Sequence, residues 1–365
     1  MKQIHIGLLI PSSTILPIGK DYEKGLKEGL SNFPELEFEI TKEFIGQGGQ
    51  VKTEEAINKL ITYDDVDIVT GVVSGMSAES MREKFKLAKK PFVVSNLGEQ
   101  LPIYEHLNEY VFFNSYFLWQ HAWALGYQGV KRFGKKGMFV GAVFDGGYSF
   151  SYMFHEGMKA ADINSEWFFS IPPMPNKGEL SDMNIIFPFI EKYQPDFIFA
   201  AFCGAETTLF LNRFIEEGWH KRTKLMGLPF LLEPFTALKD DLVCYSTLPT
   251  ALNPNITAKQ SFYHLGYRAG IGIAKAAVKA ESWKQLQQQL EEDGTFFNIN
   301  QLQQEKIIKH ETHLPVLTKN SITANSEEIA TEILEAIVTL SLKDPFFKQL
   351  DPTTQFGWIN SYLAI

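Results

Sequence analysis

The amino-acid sequence predicts an α/β protein with two lobes, each built on a parallel sheet covered by helices. The chain has 365 residues, 45% of them hydrophobic, which is enough to form two cores. Apolar segments of strand length alternate with segments of helical periodicity over most of its length. The alternation starts afresh after Tyr116, which separates a first lobe from a second.

The first lobe is predicted to be Rossmann-like. Residues 3–11 form an apolar strand, a turn of hydroxyl residues follows at 12–14, and a helix begins near Gly19. Strands are predicted at 3–10, 36–45, 67–71, 91–95 and 110–114, and helices at 18–32, 50–63 and 75–88. Because parallel strands end at one edge of their sheet, ligand contacts are expected at that edge.

The second lobe has the same rhythm. A helix to about residue 133 is followed by strands at 136–144, 166–171, 196–202, 223–228 and about 241–247, with helices at 148–161, 181–193 and 205–218. The three prolines within 170–178 predict a surface loop. The apolar residues of 261–279 recur at helical spacing, which predicts a helix with one face packed on a sheet. The glutamine-rich residues 285–289 are predicted to form an exposed helix face.

Composition argues against several classes of protein. The formal charge is −9, and no Lys/Arg cluster is interleaved with aromatic residues, so nucleic acid is not an expected partner. The longest apolar run, 197–205, is far below the roughly 18 residues of a membrane span, so no membrane insertion is expected. Cys203 and Cys244 are too few for a disulfide scaffold and predict two buried thiols.

Catalytic and cofactor motifs are not recognisable. The glycines of residues 46–49 have the wrong spacing for a dinucleotide site, and Ser74 stands one position too late for a nucleophile elbow. His310 and His313, three apart on an extended segment, point to opposite faces of a strand. We therefore expect no enzyme activity, no catalytic residue, no cofactor and no metal site.

Seven segments in order resemble the type I periplasmic binding proteins, specifically the Leu/Ile/Val-binding-like, substrate-binding components of ABC transporters. They are the strand and Pro-Ser-Ser turn ending at Gly19, then 66–75 (VDIVTGVVSG), 90–95 (KPFVVS), 110–115 (YVFFNS), 144–148 (FDGGY), 194–199 (QPDFIF) and 264–269 (HLGYRA). The resemblance covers nearly the whole chain.

The resemblance implies two lobes joined by three hinge crossovers, with ligand bound between the lobes. Lobe 1 would comprise residues 1–115 and 250–311, and lobe 2 residues 116–249 and 312–365. The crossovers are expected near 114–116, 247–252 and 310–314. The carboxyl-terminal segment, including 327–342, would belong to lobe 2.

In lobe 1 the resemblance implies ligand contacts in three loops. The expected residues are Ser13, Ser74, Gly75, Met76, Leu97, Gly98 and Glu99. Ser74 is either the N-cap of the following helix or a ligand contact, and its position in the family favours contact. Glu99 replaces the small hydroxyl residues of amino-acid-binding relatives and is either a partner for a ligand ammonium or an exposed loop residue.

In lobe 2 the resemblance implies contacts from Tyr148, Phe202, Cys203, Gly204, Ala205 and Phe230. Tyr148 is expected to cover the ligand, the alternative being that it packs on the first turn of the next helix. Glu206 is expected to stabilise its own helix N-terminus. The acid that follows Gly-Pro in many amino-acid binders is missing, or shifted to Glu233. An apolar or aromatic carboxylate is therefore favoured over a branched-chain amino acid.

The function implied is that of an extracytoplasmic solute-binding protein that captures a small organic ligand and delivers it to a membrane permease. Met1 and Lys2 lead directly into a strand, so the sequence is expected to be either a periplasmic mature form whose signal has been removed or a cytoplasmic chain, and the missing export signal favours the second. The alternative is a cytoplasmic small-ligand sensor on the same fold, if the native chain has no signal.

Overall fold

The computed structural model describes residues 2–13, 17–100, 107–143, 148–176, 178–228, 231, 242–246, 261–298, 316–318 and 321–323. Contacts divide the chain into two compact units. The first unit holds the described residues up to Tyr116 and those within 259–307, and the second holds those within 117–258 and 308–357. The predicted fold class is confirmed, since each unit contains a largely parallel sheet with helices. The crossovers predicted near 247–252 and 310–314 lie outside the described residues.

The first unit contains a five-stranded parallel sheet of order β2-β1-β3-β4-β5. Its elements are β1 (Lys2–Ile10), α1 (Ile18–Ser31), β2 (Leu36–Phe44), α2 (Gln50–Thr62), β3 (Ile68–Val72), α3 (Gly75–Ala88), β4 (Phe92–Asn96) and β5 (Val111–Ser115). The strand order reverses between β1 and β3. Ligands of such sheets bind outside the carboxyl ends of the strands at this switch point.

Burial explains the composition of these strands. β3, β4 and β5 are buried throughout, which accounts for their continuous apolar runs. β2 lies at an edge of the sheet, and exposed and half-buried residues alternate along most of it. On one face of the sheet α1 packs along a later helix, α8 (Ser261–Lys279), while α2 contacts α3.

The second unit contains a seven-stranded sheet of order β12-β11-β10-β9-β8-β6-β7. Its elements in the described chain are α4 (Leu118–Phe133), β6 (Lys136–Gly141), α5 (Phe150–Ala161), β7 (Glu166–Ser170), α6 (Met183–Tyr193), β8 (Phe197–Ala201), α7 (Gly204–Glu216), β9 (Lys224–Gly227), β10 (Cys244–Ser246), β11 (Val316–Thr318) and β12 (Ser321–Thr323). Strands β6 to β10 pair in parallel, whereas β10, β11 and β12 pair antiparallel. This hairpin is a departure from the purely parallel sheet predicted.

Glycines bring helix backbones together in both units. A Cβ atom added to Gly25 or Gly29 of α1 would lie less than 3.0 Å from a backbone carbonyl oxygen of α8. Gly266 and Gly270 of α8 approach α1 in the same way. In the second unit Gly157 of α5 and Gly126 of α4 bring that pair into equally close contact. Helix pairs therefore meet backbone to backbone at these positions.

Three local predictions need comment. Residues 171–176 form no strand, in agreement with a loop rich in proline. The glutamine-rich segment was predicted to be exposed, but it lies in α9 (Leu286–Asp293), where Leu286 and Leu290 are buried. Gln287 of this helix is half-buried and donates a hydrogen bond to the carbonyl oxygen of Glu109, 3.0 Å away. The prediction of an exposed face was therefore wrong for part of this segment.

Neither Cys203 nor Cys244 forms a disulfide bond. Cys244 is fully buried, and burial raises the pKa of its thiol. Cys203 is only half-buried, so the prediction of two buried thiols was wrong for this residue. Among the described residues, no helix has the length and apolar character needed to cross a membrane.

Candidate functional site

Predicted ligand residues of the first unit follow both strands at its switch point, and three more follow the neighbouring strand β4. Ser13 lies three residues after the end of β1, and Ser74 lies two residues after the end of β3. Leu9 of β1 is paired in register with Gly71 of β3, so the two loops leave the sheet side by side. The amide of Ser12 donates a 2.6 Å hydrogen bond to the carbonyl oxygen of Gly46, which holds the β1 loop at this edge.

Ser74 is the N-cap of α3. Its hydroxyl oxygen accepts a hydrogen bond from the Ser77 amide at 3.2 Å, and its hydroxyl group donates to the Ser77 side chain at 3.0 Å. Of the two interpretations given for Ser74, the structure shows the first, in which its side chain caps the helix. The amides of Gly75 and Met76 begin the helix, where the partial positive charge of the helix dipole favours an anion.

Gly75 borders open space although it is buried. Apart from its chain neighbours and the backbone of its own helix, no heavy atom of the described residues would lie within 4 Å of a Cβ atom added there. By contrast, a Cβ atom on Gly71, four residues earlier, would contact the backbone of Leu9. The first turn of α3 therefore has room at Gly75 for at least one added methyl group.

The loop after β4 is bonded to the loop after β3. Asn96, which is 5% exposed, donates from Nδ2 to the carbonyl oxygen of Val73 at 3.3 Å, and its Oδ1 accepts from the Gly98 amide at 3.0 Å. Gln100 donates from Nε2 to the Met76 sulfur at 3.4 Å. Side chains of the β4 loop therefore hold the β3 loop at two points.

Glu99 lies in the same loop and is only 2% exposed. The alternative of an exposed loop carboxylate was therefore wrong. Leu97 beside it is 3% exposed, and Gly98 has φ +77°, which favours glycine and turns the chain there. Burial of a carboxylate is costly unless charges or hydrogen bonds compensate for it, so the buried side chain of Glu99 requires such interactions.

A buried chain of hydroxyl groups lies beneath these loops. The Tyr22 hydroxyl is 2.8 Å from both the Thr70 and Ser95 hydroxyls, and Asn114 donates to Ser95 at 2.8 Å. Thr70 donates to the carbonyl oxygen of Val93, so Tyr22 must donate to Thr70 and accept from Ser95. Burial raises the pKa of Tyr22 to about 12, which keeps this donor protonated. The network connects α1, β3, β4 and β5 directly below the loops.

In the second unit the predicted residues also follow the strands of a switch point, between β6 and β8. The Ala142 amide, just after β6, donates to the Ala201 carbonyl oxygen of β8 at 3.2 Å. Tyr148 follows β6 and precedes α5, is half-buried, and has its ring 5.6 Å from the Phe150 ring in an edge contact. This contact agrees with the alternative interpretation of Tyr148, in which its ring packs on the first turn of the next helix.

The loop after β8 has both core and surface residues. Phe202 is 2% exposed and stacks on Phe210 within the core, so only its backbone can serve a ligand. Cys203 is the N-cap of α7 and makes no capping hydrogen bond through its side chain. Gly204, with φ +59°, and Ala205 are exposed at the start of the helix.

Glu206 lies in the first turn of α7, as expected for an acid at a helix N-terminus. It is 5% exposed, and its Oε1 accepts a 2.8 Å hydrogen bond from the Ser181 amide. This bond holds the segment before α6. Phe230, Glu233, His310 and His313 lie outside the described residues.

Sequence reasoning missed Asn96, the last residue of β4, and Gln100 in the loop that follows it, both of which are buried. An asparagine two residues before a glycine is a recognisable turn signal, because its side chain can accept from that amide. The contacts with Val73 and Met76 had no such signal, since they join segments that are distant in the chain.

Comparison with solved structures gives several proteins of similar fold. An ABC transporter substrate-binding protein from Sphaerobacter thermophilus has a TM-score of 0.63 and 20% identity, over 79% of this chain and 85% of that one. A leucine-binding protein from Thermotoga maritima has a TM-score of 0.61 and 14% identity, over 88% and 98%. A solute-binding protein from R. palustris in complex with benzoate has a TM-score of 0.57 and 18% identity, over 79% and 85%.

These likenesses establish the class of fold. The chain has the fold of the type I periplasmic binding proteins, as the sequence resemblance implied. Comparison with protein-family models and with curated protein sequences gives no match.

Proposed function

We propose that this protein is the solute-binding component of an ABC importer and captures a small organic ligand between its lobes by hinge closure. The observation that carries the proposal is the placement of the predicted ligand loops. In each unit, predicted ligand loops follow both strands at the switch point of the sheet, where ligands of open α/β sheets bind, and in the first unit a further loop follows the neighbouring strand β4. The similar structures described as transporter components support this function.

We infer that the ligand is a small carboxylate with an apolar or aromatic body. The α3 N-terminus, at Gly75 and Met76, suits a carboxylate and faces open space. Met76, the second residue of this helix, is apolar and half-buried. Among the similar structures, one protein is in complex with benzoate and another with 4-hydroxybenzoate, whereas one is in complex with isoleucine.

The proposed partners are the small ligand and the permease of the transporter, and the proposed location is the periplasm. The contribution of the protein is binding, with no chemical step. Closure requires that the ligand favour the closed state, so both units must contribute contacts. The residues proposed for this are Ser13, the 74–76 and 97–99 loops, Tyr148, and the backbone of 202–205.

A thermal-shift screen tests the proposal. Benzoates, short aliphatic acids and free amino acids are added separately to the purified chain. A ligand that binds only the folded state raises the melting temperature by mass action, by an amount that grows with its concentration. We expect a shift with at least one aromatic or aliphatic carboxylate, confirmed by calorimetry. A shift with free amino acids alone would contradict the ligand class, and no shift with any solute would contradict the function.

Gly75→Val is expected to weaken binding without unfolding the protein. The added side chain enters the open space in front of α3, where an added Cβ atom meets no neighbour. We expect affinity for the ligand found in the screen to fall about tenfold or more, since the new atoms occupy the volume of the ligand. Calorimetry measures the affinity, and a melting curve of the free protein is the control. Unchanged affinity would place the ligand elsewhere.

Tyr148→Ala is expected to weaken binding by a different route. The tyrosine ring is half-buried, and its ring meets the Phe150 ring edge-on at the start of α5, so the variant loses this contact but leaves the buried core of the second unit in place. Loss of an aromatic contact with the ligand is expected to cost about 1 kcal/mol of binding free energy, or about fivefold in affinity. Calorimetry on the variant checks this, and equal affinities would exclude Tyr148 from the site.

A further inference from the structure

Asn96 joins two of the three proposed ligand loops of the first unit through a single side chain. These are the β3 loop, residues 73–76, and the β4 loop, residues 97–100. The Asn96 amide nitrogen donates to Val73, at the start of the β3 loop, and the amide oxygen accepts from Gly98, within the β4 loop. Asn96 itself is the last residue of β4, so the side chain projects from a rigid strand.

Asn96 makes one hydrogen bond as a donor and one as an acceptor. An asparagine side chain has a carbonyl acceptor and an amide donor in fixed relative positions, so it can bond two backbone segments at once. At 5% exposure these bonds are shielded from water, and loss of either would leave a buried backbone group without its partner. Leucine, valine or alanine at this position would leave the loops unconnected here.

We propose that Asn96 is a positioning residue that holds the amides of Gly75 and Met76 in register with the β4 loop for ligand binding. This inference rests on the proposed function and adds a residue to it. The β3 loop carries the helix N-terminus offered to the ligand carboxylate, and the β4 loop carries Leu97, Gly98 and Glu99. A ligand that contacts both loops binds more tightly if their separation is set before it arrives.

Asn108 provides a matched control within the same unit. It is 6% exposed, donates from Nδ2 to the carbonyl oxygen of Arg82 at 2.8 Å, and accepts at Oδ1 from the Tyr110 amide at 3.0 Å. Asn96 and Asn108 therefore have nearly equal burial and the same pattern of two backbone bonds. Asn108 precedes β5 and lies at the amino end of that strand, whereas the ligand loops follow the carboxyl ends.

The experiment compares Asn96→Ala and Asn108→Ala in the full chain. Urea unfolding is expected to show similar losses of stability. Calorimetry with benzoate, or with the ligand identified by the thermal-shift screen, is expected to show an affinity about tenfold lower for Asn96→Ala and unchanged for Asn108→Ala. Asn96→Asp keeps the acceptor but places a carboxylate oxygen against the Val73 carbonyl oxygen, and its negative charge opposes a ligand carboxylate, so it is expected to bind no more tightly than Asn96→Ala. Equal affinities for the two alanine variants would overturn the inference.

Hydrogen exchange of backbone amides provides a test that needs no ligand. Asn96→Ala is expected to speed exchange in both residues 73–76 and residues 97–100, whereas Asn108→Ala leaves them unchanged. Unchanged exchange in Asn96→Ala would overturn the inference even if the protein binds ligand. If exchange becomes faster in both loops but the protein binds no solute in the screen, the positioning role of Asn96 is supported. Only the proposed transport function is then contradicted.

Discussion

Replacing Gly25 by alanine is expected to lower the free energy of unfolding by about 2 to 3 kcal/mol. The added methyl group would lie within 3.0 Å of the carbonyl oxygen of Tyr263 and 2.7 Å from the amide nitrogen of Tyr267, both backbone atoms of α8. A flexible side chain could move aside, but a helix backbone cannot, so α1 and α8 must separate along their contact. The helix propensity of alanine offsets only about 1 kcal/mol of this cost.

Urea unfolding of Gly25→Ala measures the effect, and Gly75→Ala is the control. In the control the same methyl group meets open space at the start of a helix, so its effect on stability should be small. If Gly25→Ala were instead more stable than wild type by the difference in helix propensity, the backbones of α1 and α8 would not be in close contact.

Replacing Tyr22 by phenylalanine is expected to lower the free energy of unfolding by about 1 to 3 kcal/mol, because it leaves a buried donor unsatisfied. Without the Tyr22 hydroxyl, the Ser95 hydroxyl loses the acceptor for its proton, while Thr70 still donates to Val93. The ring itself is 1% exposed and keeps its packing. The loss therefore reports the hydrogen-bond network and not a cavity.

Tyr63→Phe is the control for this prediction. Tyr63 is 83% exposed at the end of α2, and its substitution is expected to change stability by less than about 0.5 kcal/mol. Equal effects of the two substitutions in urea unfolding would mean that the Tyr22 hydroxyl contributes nothing to stability.

Much of the fold could be predicted from local patterns. The helix at residues 75–88 and the apolar runs of β3 and β4 were predicted within one residue of their bounds, because periodicity and burial on both faces leave a direct trace in the sequence. The strand predicted at 136–144 ends at Gly141, since an apolar run does not distinguish strand residues from a buried residue such as Ala142 that follows the strand. The antiparallel β11 and β12 were not predicted, because three-residue strands have too little pattern.

The candidate site was predictable only in outline. The order of strands and turns is sufficient to place Ser74 and Glu99 in loops at the carboxyl edge of one sheet. It could not decide whether Ser74 caps its helix or whether Glu99 is buried, because both depend on atoms supplied by the folded environment. Statistics for single residues favoured an exposed Glu99, and the structure buries it.

The sequence by itself determined the class of fold, the approximate bounds of its elements and the loops in which ligand contacts belong, since these follow from periodicity, turn chemistry and the right-handed connection of parallel strands. Tertiary structure alone decided the contact of Gly25 with Tyr263, the bond from Asn96 to Val73 and the hydroxyl network around Tyr22. These contacts join residues far apart in the chain, and the direction of each side chain is set by packing against neighbours that no local pattern specifies.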